Sequence, residues 1–261
     1  MNEPELQFLQ VGHGSAARNI AYAKQLGREP GIVWLQGFKS EMTSVKPTAL
    51  AEWTAEQNLA FTRFDYSGHG RSDGCFEVGN LSAWLEEAVA VFRELTSGNQ
   101  IVVGSSMGGN LALLLLRHLT KHDAAAADRV KALILIAPAW DMTEELIWRR
   151  LDIVAKSSLL KTGVWMRPSR YGDDPYPITG QLIEDGRRNL LGRTPWQPKR
   201  PVRILHGRED PDVPFNHSEQ LMDILKGPDI ELYEVPDGEH RLSRPEDLHR
   251  LFGLISEFTS D

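Results

Sequence analysis

The chain has 261 residues, a formal net charge of −7 and a single cysteine, Cys75. Its length allows a large buried core, and one α/β domain with an insertion is the expected organisation. The acidic balance argues against nucleic acid as a partner, because phosphate binding needs a basic surface. One cysteine excludes an internal disulfide and a thiolate metal cluster, and we find no motif for a metal or a cofactor.

The sequence gives no sign of export or of membrane insertion. Residues 1–5 are acidic and lack the basic and apolar regions of a signal peptide. The longest apolar run, Leu111 to Leu116, is too short for a membrane span. We therefore expect a cytoplasmic protein without a membrane span, and the sequence does not predict its oligomeric state.

Strand-like and helix-like segments alternate along the chain. Short apolar runs bounded by turn residues predict eight strands, at 6–11, 17–23, 31–35, 60–65, 101–103, 131–137, 202–207 and 230–235. Apolar residues at helical spacing predict helices at 47–58, 81–96, 110–116 and 245–259. This alternation predicts an α/β fold with a mostly parallel, eight-stranded sheet and helices on both of its faces.

One interval between predicted strands is too long for a simple crossover connection. The helix-like stretches within it are 143–156 and 179–191. We interpret residues 141–200 as a helical cap inserted over the active edge of the sheet. The core domain would then consist of residues 1–140 and 201–261. A longer helical crossover packed to one side of the sheet is the alternative.

The pentapeptide Gly104-Ser105-Ser106-Met107-Gly108 predicts a nucleophile elbow, G-x-S-x-G. It lies between a strand-like run and a helix-like run, which is the context that this motif requires. The flanking glycines are needed because the turn is too sharp for side chains. Ser106 would be exposed at the head of a helix, where the helix dipole and free N–H groups can meet a developing oxyanion. Ser105 stands at the wrong offset from the glycines for this role.

A serine hydroxyl needs a general base, and the base needs a carboxylate to orient it. In this motif's fold the three residues follow in the order Ser, acid, His. Asp210 and His240 occur in that order, each just after a predicted strand. Open parallel sheets bind their ligands at the carboxyl ends of strands. The sequence therefore predicts a triad of Ser106, Asp210 and His240.

Other acids and histidines compete for these roles less well. The alternative carboxylates are Asp212, Glu209 and Asp141. Two histidines, His69 and His206, sit in glycine-flanked turns before the expected carboxylate. The histidines expected on helix surfaces are His118, His122, His217 and His249. His240 is preferred because it directly follows the last predicted strand.

Backbone N–H groups and tryptophans complete the predicted site. The oxyanion hole is expected from the N–H of Met107 and from the N–H of Phe38, which lies in the loop after the 31–35 strand. Trp140, directly before the predicted cap, and Trp148 and Trp165 within it would line an apolar acyl pocket. Forming the cap's own core is an equally good role for these tryptophans.

With these residues placed, the chain resembles the α/β-hydrolase superfamily over nearly its whole length. The motifs that carry the resemblance are Leu35-Gln36-Gly37-Phe38, Asp65-Tyr66-Ser67-Gly68-His69-Gly70-Arg71-Ser72, Gly104-Ser105-Ser106-Met107-Gly108-Gly109, His206-Gly207 with Asp210, and Gly238-Glu239-His240. A closer resemblance is to the abhydrolase family of the mitochondrial palmitoyl-protein thioesterase that also cleaves acyl glucuronides. The segments that carry this second resemblance are Gly37-Phe38-Lys39-Ser40-Glu41-Met42 with Lys46, and 176–179 with 182–188.

The resemblance implies an α/β-hydrolase fold and the cleavage of esters or thioesters. We expect a serine hydrolase that acts on a small-molecule carboxylic ester or thioester through an acyl-enzyme. A serine peptidase of the same fold is one alternative. A non-catalytic α/β hydrolase that binds a ligand is the other, and the intact set of Ser106, Asp210 and His240 disfavours it.

Overall fold

The computed structural model of the chain describes residues 6–168 and 175–259. Its strands are β1 (Gln7–Val11), β2 (Arg18–Gln25), β3 (Arg28–Leu35), β4 (Leu59–Phe64), β5 (Gln100–Ser105), β6 (Val130–Ile136), β7 (Val164–Arg167), β8 (Tyr176–Thr179), β9 (Val202–Gly207) and β10 (Ile230–Val235). Its α-helices are α1 (Val45–Glu56), α2 (Leu81–Ala90), α3 (Met107–His122), α4 (Ala124–Asp128), α5 (Ile153–Thr162), α6 (Gly180–Arg188), α7 (Phe215–Ile224) and α8 (Pro245–Ser256).

Eight of these strands form one sheet in the order β1-β2-β4-β3-β5-β6-β9-β10. The pairs from β4 to β10 are parallel, and β2 runs antiparallel to both of its neighbours. The mostly parallel, eight-stranded sheet predicted from the sequence is therefore confirmed. Because parallel strands end at the same edge, the loops after β3, β5, β9 and β10 come together there.

Helices cover both faces of the sheet, as the sequence predicts. On one face α2, α3 and α7 bury an apolar cluster that includes Trp84, Leu111 and Leu221. On the other face α1 and α8 bury a second cluster, which includes Leu50 and Leu254. Strands that are apolar on both sides need such cover, because exposed apolar surface costs free energy in water. Within the described ranges, no helix combines the length and the apolar character needed to cross a membrane.

The segment between β6 and β9 contains α5, α6 and a two-stranded antiparallel pair, β7 with β8. The helix predicted over 143–156 is wrong in its bounds. A π-helical turn occupies Thr143–Ile147, and α5 begins later because the Asp152 side chain accepts a hydrogen bond from the Ala155 N–H. The short strands were not predicted, since four residues show no clear periodicity. The division into a core and a 141–200 cap stays a prediction.

Candidate active site

Ser106 lies in the sharp turn between β5 and α3. Its backbone has φ +54° and ψ −114°. Residues other than glycine rarely adopt this conformation, and those that do are often found at functional sites. A Cβ atom on Gly104 would overlap the carbonyl of Gly108, and one on Gly108 would overlap the carbonyl of Leu35. Both glycines of the motif are therefore required by close backbone approach.

The structure brings the three predicted triad side chains together. The Ser106 Oγ lies 3.1 Å from the His240 Nε2, and the His240 Nδ1 lies 2.7 Å from the Asp210 Oδ2. Because an ionised carboxylate only accepts hydrogen bonds, this contact places the proton on Nδ1. The Nε2 atom is then free to accept the proton of the Ser106 hydroxyl, which is the arrangement that general-base catalysis needs.

Backbone contacts between two loops explain how residues 30 positions apart meet. Gly207 ends β9, and a Cβ atom there would overlap the carbonyl of Gly238 in the loop after β10. The Glu209 N–H donates to that same carbonyl at 3.0 Å, and the Arg208 N–H donates to Val235 at 2.9 Å. These contacts fix the loop that carries Asp210 against the loop that carries His240.

The Asp210 carboxylate is held in its ionised form. Burial alone would raise its pKa, but hydrogen bonds from His206, His240 and the Val213 N–H lower the pKa well below the usual range. The backbone N–H groups of Val213 and Asp212 lie 2.8 and 2.9 Å from its Oδ1 atom. The carboxylate therefore keeps its charge and can stabilise a positively charged imidazole beside it.

His206 is a further member of this site that the sequence analysis set aside. It is fully buried, and its Nε2 lies 2.9 Å from the Val213 carbonyl and 3.2 Å from the Asp210 Oδ2. Both partners are acceptors, so Nε2 carries the proton, and Nδ1 accepts from the Ser218 hydroxyl at 2.7 Å. A signal was available in the sequence, because a histidine inside a buried strand needs polar partners.

The competing carboxylates occupy other positions. Glu209 is exposed. Asp212 reaches the cavity wall beside the triad, while its own N–H donates to Asp210. Asp141 is buried, and its carboxylate accepts hydrogen bonds from the N–H groups of Leu191 and Gly192 at 2.6 and 2.9 Å. Among the three, only the position of Asp212 is near the reacting groups.

The expectation of a surface position for His217 is wrong. Its ring is buried and stacks on Trp140 with the ring centroids 4.6 Å apart. Its Nε2 lies 2.9 Å from the Trp140 carbonyl, and the Trp140 Nε1–H donates to the His217 carbonyl at 2.8 Å. These two hydrogen bonds satisfy the Trp140 N–H and the His217 Nε2, which helps to explain why a histidine is tolerated on the inner side of α7.

The predicted oxyanion loop passes directly over the nucleophile. A Cβ atom on Gly37 would lie 3.4 Å from both the Ser105 carbonyl oxygen and the Ser106 Cβ. Phe38 follows in this loop and lines the same cavity as Ser106. Met107 is the first residue of α3, so its N–H has no acceptor within the helix. The two predicted donors therefore belong to two chain segments that are both adjacent to the serine.

Residues of the Asp65–Ser72 motif hold the oxyanion loop in place. The buried Asp65 carboxylate accepts hydrogen bonds from the Met42 N–H at 2.7 Å and from the Gln36 side chain at 3.2 Å. The Lys39 N–H donates to the His69 Nε2 at 3.2 Å. These contacts give the motif a physical role, since they tie the end of β4 to the loop after β3.

A cavity of about 820 Å³ opens onto Ser106. Its apolar wall comes from both the sheet edge and the segment after β6, and includes Trp34, Phe38, Ala139, Met142, Leu146, Ile147 and Tyr176. Positively charged side chains also line it, namely Lys39, Lys46, Arg167 and Arg241. This mixture of a broad apolar wall with a few charged groups is typical of small-molecule sites.

Among the described residues, the three tryptophans predicted to contact substrate do not line the cavity at Ser106. Trp140 is fully buried in the core. Trp148 packs against charged side chains, with the Arg187 guanidinium 4.8 Å from its ring centroid. Trp165 borders a separate groove beside α5. The described cavity wall is built from other aromatic and aliphatic residues, and the packing role left open in the sequence analysis fits these positions.

Asp210, Asp212 and His240 are the described residues whose spacing would suit a metal ion, with ligand atoms within 4.8 Å of one another. Hydrogen bonding already accounts for this cluster. The His240 Nδ1 and the Asp210 Oδ2 bond to each other, which leaves the imidazole Nε2 directed at Ser106. The geometry therefore favours a hydrogen-bonded triad over a metal centre.

Comparisons with known proteins agree with this fold. The model of the alpha/beta hydrolase family matches residues 32–251, and the chain belongs to that family. The mitochondrial palmitoyl-protein thioesterase ABHD10 of Mus musculus is 34% identical over 243 residues, which cover 92% of this chain and 78% of that protein. The human ABHD10 is 33% identical over 241 residues, covering 92% and 76%.

Solved structures show the same relationship. A putative hydrolase from Agrobacterium vitis S4 superposes with a TM-score of 0.94 at 39% identity, covering 98% of this chain and 99% of that one. Mouse ABHD10 superposes with a TM-score of 0.84 at 32% identity, covering 97% of each chain. The comparisons confirm the predicted family, the α/β-hydrolase fold and the prediction that the chain is a hydrolase.

Proposed function

We propose that this chain hydrolyses carboxylic esters and thioesters through an acyl-enzyme formed on Ser106. The observation that carries the proposal is the hydrogen-bonded series from the Ser106 Oγ to the His240 Nε2, at 3.1 Å, and from the His240 Nδ1 to Asp210, at 2.7 Å. Thioesters are included because relatives at 32–34% identity carry the name palmitoyl-protein thioesterase.

In the first half of the reaction, the Ser106 oxygen attacks the carbonyl carbon of the substrate. The proton of the hydroxyl passes to the His240 Nε2, and the buried Asp210 carboxylate stabilises the imidazolium. The negative charge on the substrate oxygen falls between the N–H groups of Phe38 and Met107. When the tetrahedral intermediate collapses, His240 returns the proton to the leaving alcohol or thiol.

In the second half, a water molecule replaces the leaving group beside His240. The imidazole takes a proton from this water, whose oxygen attacks the carbonyl carbon of the acyl-enzyme. When the second tetrahedral intermediate collapses, His240 gives the proton to the departing Ser106 oxygen and the carboxylic acid is released. The same two N–H groups stabilise the second oxyanion. Removing a single donor of this kind from other serine hydrolases costs about 10²–10³ in kcat.

The cavity supports an acyl group as the part of the substrate nearest to Ser106. Phe38, Met142, Leu146 and Ile147 supply apolar surface within it, and burying apolar atoms drives binding without directional contacts. A serine peptidase and a non-catalytic binder are the alternatives predicted from the sequence.

We also propose a cytoplasmic location. Fractionation of cells tests this proposal: the chain should be recovered together with a cytoplasmic marker protein, and recovery apart from that marker would contradict it.

The direct experiment is a panel of acyl esters and acyl thioesters of increasing chain length, assayed with the wild type and Ser106→Ala. We expect Ser106→Ala to lower kcat by about 10⁴-fold or more on every substrate. Ser105→Ala is the matched control, because it removes the neighbouring hydroxyl and should leave most of the activity. Near-full activity of Ser106→Ala would overturn the proposal. Turnover of peptide substrates without ester turnover would favour the peptidase.

A further inference from the structure

The outward face of α5 is apolar. Ile153, Val154 and Leu160 are 84%, 73% and 76% exposed, while Ala155 and Leu159 on the opposite side are buried. Residues seven positions apart lie on the same side of a helix, so Ile153 and Leu160 present one continuous surface. Burial of the inner side shows that α5 is packed in its folded position, and that the outer side still meets water.

Met166, on β7, is a further exposed apolar side chain that follows α5. Gly163 adopts a left-handed conformation at the end of α5, and the chain turns directly into the strand that carries Met166, which is 50% exposed. We call Ile153, Val154 and Leu160 the α5 patch. Clusters of exposed aliphatic side chains are uncommon on surfaces that face only water, and they mark interaction sites.

The charges around the α5 patch are mostly positive. Residues 148–168 contain five basic side chains, Arg149, Arg150, Lys156, Lys161 and Arg167, and one acidic side chain, Asp152, in a chain of net charge −7. The Asp152 carboxylate is used to cap α5. Arg149 pairs with Glu144 and Glu145, so Lys161, exposed on the same side as the patch, contributes more to an external partner.

The α5 patch is connected to the wall of the cavity above Ser106 by short stretches of chain. Arg167, five residues after α5, lines that cavity, as do Leu146 and Ile147 shortly before α5. A partner that covers the patch would therefore be joined to that wall through a few residues.

We propose that the α5 patch docks onto the surface of an anionic lipid bilayer. Aliphatic side chains on one helix side with basic residues beside them are the combination that holds helices at a membrane interface. On the function proposed above, docking would bring the cavity mouth to acyl chains anchored in that bilayer. The basic residues near the α5 patch favour an anionic bilayer over an uncharged apolar partner.

The test compares the wild type with Ile153→Glu/Leu160→Glu in sedimentation with lipid vesicles. The matched control is Phe8→Glu/Leu26→Glu, two exposed apolar residues (54% and 82%) outside the patch. We expect the wild type and the control to sediment with vesicles of phosphatidylcholine mixed with phosphatidylglycerol, and to be released by added salt. The patch variant should bind about tenfold more weakly or worse.

Each outcome decides the proposal. No sedimentation of the wild type with anionic vesicles, or equal sedimentation of the patch variant, would overturn it. A concentration-dependent dimer that the patch variant abolishes, without vesicle binding, would assign the patch to a second copy of the chain. All variants should hydrolyse a water-soluble, short-chain ester at the wild-type rate. Failure of the wild type on every ester and thioester of the panel would overturn the proposed function and leave the vesicle result standing.

Discussion

Two regions of the molecule meet at the cavity, and they are positioned in different ways. At the sheet edge, Ser106, Asp210 and His240 each follow a strand closely, so the sheet itself fixes where they lie. The described residues between β6 and β9 add no strand to this sheet, and several of the hydrogen bonds that hold them to the rest of the chain come from side chains. The comparison shows that strand ends position the predicted triad, whereas side-chain contacts help to position the part of the cavity wall that this segment supplies.

The contacts of the second region are concentrated at α6. The Asp185 carboxylate accepts hydrogen bonds from the N–H and the hydroxyl of Ser82, at 2.8 and 2.7 Å, which ties α6 to α2. The Arg117 side chain donates to the carbonyls of Leu190 and Leu191 just after α6. By contrast, α5 presents the apolar patch to solvent. The segment is thus anchored at α6, whereas α5 leaves one of its sides exposed.

The largest expected effect comes from crowding the two loops of the sheet edge. Gly207→Ala would place a Cβ atom against the carbonyl of Gly238, forcing the Asp210 and His240 loops apart. Displacing catalytic groups by about 1 Å costs about 10²-fold in rate, so we expect at least that loss in kcat/KM. The control is Gly253→Ala, where a Cβ atom meets nothing within 4 Å. Wild-type activity of Gly207→Ala would show that the loop contact does not position the triad.

A smaller loss of activity is expected from removing the hydrogen bond that His206 donates to Asp210. His206→Leu deletes the Nε2–H that lies 3.2 Å from the carboxylate, and hydrogen bonds to charged groups contribute about 2 kcal/mol, or about 30-fold. The loss should fall on kcat with KM unchanged, because His206 does not line the cavity. His206→Gln, which keeps an N–H donor, should recover part of the rate. Equal losses in both variants would point to packing alone.

The pH dependence of stability should reveal the buried His217. Burial lowers its pKa to about 4 from 6.5, so the folded chain disfavours the protonated form that the unfolded chain accepts. This contribution is complete above pH 6.5 and is lost as the pH falls toward 4. Between pH 7 and pH 5 we expect a loss of about 2 kcal/mol in urea unfolding. In His217→Gln the free energy of unfolding should change less between pH 7 and pH 5. An unchanged pH dependence would show that His217 is not its source.

The smallest effect is expected in the contact-held segment. A Cβ atom on Gly186 of α6 would overlap the side chain of Thr143, which can move partly aside. Gly186→Ala should therefore destabilise the fold by about 1 kcal/mol and alter KM more than kcat. Gly180→Ala in the same helix is the control, since its nearest neighbour would be 3.7 Å away. A stronger loss of kcat in Gly186→Ala than in Gly207→Ala would reverse the comparison between the two regions.

The difference between the sheet edge and the segment between β6 and β9 also explains which features could be predicted from the sequence. The elbow around Ser106 was predictable because two glycines at fixed spacing report a backbone constraint, and each clash in the structure matches one of them. Asp210 and His240 were predictable because a parallel sheet brings strand ends together. These predictions used only local patterns and the order of strands.

The features that sequence analysis missed depend on contacts between distant residues. The buried position of His217 follows from its stacking on Trp140, 77 positions away. The start of α5 depends on a cap at Asp152 that interrupts an otherwise helical pattern. The tryptophans between β6 and β9 were assigned to substrate because they are large and apolar. Composition alone does not say which side of a segment faces the cavity.

The most direct test of the central claim, that His240 and Asp210 activate Ser106, is labelling with a fluorophosphonate followed by mass spectrometry of the digested chain. We predict a single adduct on the peptide that contains Ser106, no adduct in Ser106→Ala, and strongly slowed labelling in His240→Ala. A wild type that resists the reagent, or that carries the adduct on another serine, would contradict the account.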